Sequence, residues 1–123
     1  MIYARINGKS WPLAFTLAAM DGIEEATGKG IGELTLKISS KAERAEILNV
    51  LAVLMREGAA DGAETPDVDE LHRMMRPGDL MQALRSVSDA ISEGMAMETD
   101  EPDDDTEVDV VLEELKKKET PDG

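Results

Sequence analysis

The sequence predicts a mainly α-helical protein: an N-terminal β-hairpin packed on a small bundle of three to four helices, with an acidic, disordered C-terminal tail. Three observations carry this. An Asn-Gly pair lies between two short extended runs at the start of the chain. Beyond it come segments with helical periodicity and boundary signals, and after residue 96 the acid content rises sharply.

Ile2, Ala4 and Ile6 alternate with Tyr3 and Arg5, so one face of the first strand is apolar. Asn7-Gly8 follows, and both residues tolerate the positive φ of a type I′ turn, whose twist matches the flanking strands. Pro12 cannot donate to a ladder, which predicts a short or edge return strand. A two-stranded hairpin is marginal alone in water, so it must rest on the helices behind it. The first helix spans Leu17 to Thr27, where Leu17, Met20 and Ile23 recur at a spacing of three and Gly28 supplies a stop.

Residues 29–39 are glycine-rich at first and then apolar at Leu34, Leu36 and Ile38, a pattern read as a short helical turn or an irregular apolar linker. The second helix has the clearest start, since Ser40 and Glu43 form a capping-box pair. Ile47, Leu48, Leu51, Leu54 and Met55, thickened by Val50, Ala52 and Val53, cover so wide a face that this helix should be central and packed on more than one side. The apolar excess also permits self-association. Gly58 and Asp61-Gly62 end the helix. Thr65-Pro66-Asp67 predicts a third, short helix with Thr65 as cap and Pro66 in first position, stopped at Pro77-Gly78. The last helix is expected to be capped by Asp79 with Gln82, and to bury Leu80, Leu84, Val87 and Ile91 until Gly94.

Of the 27 acidic residues, 12 lie in 97–123 beside only Lys116, Lys117 and Lys118, whereas residues 1–96 hold 15 acids and 10 bases. This shift divides the chain into a hairpin-plus-helical domain over 1–96 and an acidic tail over 97–123, which is too charged and too poor in apolar residues to fold. Within the tail, the run Val108-Asp109-Val110-Val111-Leu112-Glu113-Glu114-Leu115 is read either as solvated chain or as a helix or strand offered to a partner. A net charge of −14 repels phosphate backbones and argues against nucleic acid as a partner. With no cysteine, no bilayer-length apolar run and no basic, apolar leader, the expectation is a cytoplasmic protein with no membrane partner.

Chemistry is hard to place. His72 is the single histidine; Asp69 and Glu70 lie within a turn of it, but no further ligand stands at metal-binding spacing, so it reads as a surface residue. Gly28-Lys29-Gly30-Ile31-Gly32 lacks the spacing and the Lys-Ser/Thr pair of a phosphate loop. No serine has the flanking glycines of a nucleophile elbow. The expectation is a non-enzymatic protein without catalytic, metal or cofactor residues. Methionine is the better lead, because flexible thioethers suit surfaces that accept several apolar shapes. Met74, Met75, Leu80 and Met81 bracket the Pro77-Gly78 break and form the candidate partner-binding set; the alternative is that these methionines fill an irregular core in a chain almost without aromatics.

Ile6-Asn7-Gly8-Lys9, Pro12-Leu13-Ala14-Phe15 and the run from Leu17 to Gly28 resemble the N-terminus of the tail assembly chaperones of long-tailed phages and prophages. Arg56-Glu57-Gly58, leading through Thr65-Pro66-Asp67-Val68 to Leu80 and Val87, resembles that family's helix, loop, short helix and closing helix. The resemblance covers about residues 1 to 95 and rests on the order of degenerate marks; gene-transfer-agent tail-cluster proteins share part of it. It implies a non-catalytic chaperone that binds the tape measure protein and the major tail tube protein in the bacterial cytoplasm and is absent from the mature virion. It also implies a programmed frameshift, for which Lys116-Lys117-Lys118 marks a candidate slippery run. Two other readings stand beside it: an acidic regulator that inhibits a DNA-binding partner, and a minor structural tail protein.

Overall fold

The computed structural model describes residues 1–96; the disordered tail expected over 97–123 lies outside the described residues. The described chain is mainly helical, with an N-terminal hairpin of β1 (Ile2–Ile6) and β2 (Lys9–Leu13). Four α-helices follow: α1 (Leu17–Thr27), α2 (Lys41–Gly58), α3 (Val68–Met74) and α4 (Pro77–Met95).

The strands are antiparallel in a register that pairs Ile6 with Lys9 and Tyr3 with Pro12. Asn7 and Gly8 both adopt positive φ, 53° and 81°, as a type I′ turn requires. Ala4 and Ile6 are fully buried and Ile2 is half-buried, so the alternation read from the sequence is the one used. β1 packs on α4 and β2 on α2. At the exit of the hairpin the Ala14 amide donates to the Leu54 carbonyl at 3.2 Å, tying the strand end to the C-terminal part of α2.

α1 has the predicted bounds. Thr16 caps it by accepting from the Ala19 amide, and Gly28, at φ 75°, ends it in the left-handed conformation. Its buried face differs from the expected one: Ala19 and Ile23 are buried, Met20 is half-buried, and Leu17 is 78 % exposed. The first residue of a helix projects from its end, so periodicity alone did not bring Leu17 onto the core face.

α2 is central, as its breadth predicted, with contacts to α1, β2, α3 and α4. Every residue from Val50 to Met55 is buried within the chain, so its apolar excess is consumed by intramolecular packing. The capping box is present: the Glu43 amide donates to the Ser40 hydroxyl at 3.1 Å and the Ser40 amide donates to the Glu43 carboxylate at 3.1 Å.

Two helix starts need correction. Asp67, not Thr65, caps α3, because Asp67 and Glu70 exchange reciprocal bonds at 2.9 and 2.8 Å, which leaves Pro66 outside the helix. Asp79 does not cap α4. Arg76 is the boundary residue, Pro77 occupies the first helical position, and the Asp79 carboxylate reaches back to accept from the Arg76 amide at 2.9 Å. Pro77 therefore opens α4 instead of stopping α3; it holds Arg76 extended, and α3 has already ended at Met74. The buried stripe of α4 is Leu80, Ala83, Val87 and Ala90, while Leu84 and Ile91 are half-buried flanks. Small alanines let α4 lie close to its neighbours, turning the expected stripe partway round the helix.

Candidate functional site

Residues 29–39 comprise one 3-10 turn, Ile31–Glu33, followed by irregular chain laid along the N-terminal half of α2. The Glu46 side chain, only 9 % exposed, holds this path. One carboxylate oxygen meets Lys29 Nζ at 2.8 Å and the other accepts the Thr35 amide at 2.9 Å. Desolvation pushes the Glu46 carboxyl up, but the Lys29 bond, the Thr35 and Leu36 amides and the Lys29 charge together bring it below its ordinary value. The same hydrogen bond and charge raise Lys29 above the usual lysine range. Further along, Arg44 Nη1 donates to the Ile38 carbonyl at 3.0 Å. Leu36 is held at φ 51°, a left-handed conformation that costs a non-glycine residue on the order of 1–2 kcal/mol. These attachments leave Leu34, Leu36 and Ile38 half-buried against the core.

Pinning Ile38 there completes an apolar groove between α2, α3 and the start of α4. Its floor and walls are Ile38, Leu48, Leu71, Met75, Pro77 and Leu80, and it encloses about 370 Å³. Arg44, His72 and Arg76 stand on its rim. Arg76 is 82 % exposed at its side chain and lies 3.7 Å from the Asp79 carboxylate, so a second anion can still reach it. In a chain of net charge −14 this local concentration of cationic and titratable nitrogen donors is against the overall trend.

The four candidate residues are not gathered in one place. Met75 and Leu80 line the groove, with Met75 half-buried and Leu80 buried. Met74 lies on the other side of α3, in a shallow depression of about 390 Å³ with Trp11, Glu64, Thr65, Pro66 and Glu70. There Lys9 Nζ sits 4.4 Å from the centre of the Trp11 ring, and the buried indole N–H of Trp11 has no hydrogen-bond partner. Met81 is 59 % exposed on α4 and lines neither concavity.

Sequence reasoning missed Ile38, Arg44, Leu48 and Leu71 as groove residues, and it placed His72 on the surface without assigning it a neighbourhood. His72 is indeed exposed, on the groove rim. Leu71 with Met75, and His72 with Arg76, are pairs four apart that carried a usable signal; the positions of Ile38 and Arg44 depend on the irregular linker, which has no periodicity to read.

Among the described residues no group of three or more His, Asp and Glu side chains is arranged to hold a metal ion. No described helix is long and apolar enough to cross a membrane. The groove offers shape, apolar surface and cationic donors, which are the means of recognising another chain by one face of a helix. No protein-family model, curated protein or solved structure matches the chain.

Proposed function

We propose that this protein is a non-catalytic tail assembly chaperone acting in the bacterial cytoplasm, absent from the finished particle, that shields the tape measure protein and receives the tail tube subunit. The observation that carries the reading is the groove itself. It is an apolar slot of about 370 Å³ with a methionine on its wall and cations on its rim, a volume suited to the anchor residues of an amphipathic helix and too small for a whole helix. A tape measure is a long helical chain whose apolar stripes need cover before a tube surrounds them. The net charge of −14 would keep the loaded complex soluble. The order of marks from Ile6 to Val87 that resembles the family supplies the identity of the partner, which the groove by itself does not.

The test is a calorimetric titration of the full chain with helical segments of a tape measure protein encoded in the same gene cluster. Saturable binding that is lost in Met75→Asp and retained in Leu17→Asp supports the reading. Leu17 is a suitable control because it is exposed on α1, whose contacts are with α2 and the 3-10 turn. Binding that ignores Met75→Asp, or no binding at all, would overturn it, as would stoichiometric recovery of the protein from purified particles.

A further inference from the structure

We propose that the groove between α2, α3 and α4 is occupied in the free protein by the chain's own segment 108–115, an internal stand-in that a partner helix must displace; the displacement, though not the occupancy, rests on the partner reading above.

Complementarity is the first argument. Val108, Val111, Leu112 and Leu115 stand at i, i+3, i+4 and i+7, the spacing of one helix face, and Asp109, Glu113 and Glu114 accompany them. The groove presents the matching surface: aliphatic side chains and Met75 inside, Arg44 and Arg76 on the rim. Elsewhere the described domain carries more acids than bases, so an acidic apolar segment is repelled from most of the surface and favoured here.

Reach is the second argument. The groove lies at the start of α4 and the described chain ends at Ala96, just past its other end. A helix of this length spans roughly 28 Å at its rise per residue. Residues 97–107 extend to roughly 36 Å, enough to bring Val108 back alongside α4 to the groove. Tethering of this kind places a segment at an effective concentration on the order of millimolar, so an intrinsic affinity tighter than about millimolar fills the site.

The absence of cysteine allows a clean test on the full chain. A nitroxide is attached at Asp109→Cys and methyl signals of methionine and leucine are compared before and after its reduction. Occupancy predicts a several-fold intensity loss at Met75, Leu71 and Leu80 with Leu17 unaffected, and recovery when Val111→Asp and Leu112→Asp are added. That double variant should also bind a partner helix several-fold more tightly than the parent. No broadening at the groove, equal broadening at Leu17, or broadening that survives the double substitution would overturn the proposal. So would broadening in a mixture where the nitroxide and the isotope are on different molecules, since the occupant would then be a second copy. The broadening requires no partner, so a tape measure segment that fails to bind would remove the functional reading and leave this result standing.

Discussion

Lys29 and Glu46, seventeen residues apart, meet at 2.8 Å and staple the end of α1 and the irregular linker to the flank of α2. Together with the Thr35 amide on the same carboxylate and the Arg44–Ile38 bond further along, this contact fixes the path of residues 29–38 that brings Ile38 to the groove wall.

The contact makes stability pH-dependent with a definite sign. Glu46 titrates below its ordinary value in the folded chain, so its contribution is complete above the unfolded carboxylate pKa and is lost as pH falls through the lower, folded value. Lys29 is raised, so its side of the pair survives until the pH exceeds the usual lysine range. Glu46→Gln should lower the denaturation midpoint at neutral pH, and the gap from the parent should close on acidification below the ordinary carboxylate range. A gap that stays constant with pH would show that the ion pair contributes nothing.

Gly94 lies on α4 where a Cβ would run into the Phe15 carbonyl and ring. Substituting alanine for glycine inside a helix ordinarily gains about 0.5–1 kcal/mol, but here the forced displacement of Phe15 should cost roughly 1–3 kcal/mol. Gly94→Ala should therefore lower the melting temperature, while Gly78→Ala, with open space around its new methyl, should raise it. A rise in both would show that the α4 terminus yields at little cost.

Val87 is fully buried on α4 and Leu84 half-buried beside it. Val87→Asp should unfold the domain, because an unpaired carboxylate in the core costs several kcal/mol. Leu84→Asp, at a position the periodicity placed on the same buried stripe, should leave a folded protein of reduced stability. Circular dichroism and a denaturant titration distinguish the two.

Met81 and Met75 were equivalent candidates in the sequence and are not equivalent in space. Met81→Asp should change neither helicity nor partner affinity. Met75→Asp should keep its helicity and weaken capture by about 30-fold or more, the effect of losing a residue worth about 2 kcal/mol at an interface. Equal losses from both would move the binding surface out of the groove and along α4.

The local elements were legible because each rests on chemistry between residues a few positions apart. Asn7-Gly8 sets the hairpin turn, Ser40 with Glu43 starts α2, and Gly28 ends α1, all as read. The errors at Thr65 and Asp79 arose where two local signals competed. At the third helix the Asp67–Glu70 capping box prevailed over a threonine cap with proline in first position. At the fourth, proline in first position prevailed over an aspartate cap. The groove was half legible: Met75 and Leu80 were named, but their separation from Met74 and Met81 was not.

By itself the sequence determined the hairpin, the four helices in order, the breadth of α2 and the imbalance of charge along the chain. These follow from period, capping and composition, which act over one or two turns. Only the tertiary structure decided which face of α4 is buried, which methionines share a cavity, and that Ile38 and Arg44 belong to it. Those outcomes depend on contacts between segments that local periodicity does not relate, among them the Lys29–Glu46 staple, the Arg44–Ile38 bond and the close approach of Gly94 to Phe15, and no local pattern encodes where such partners meet.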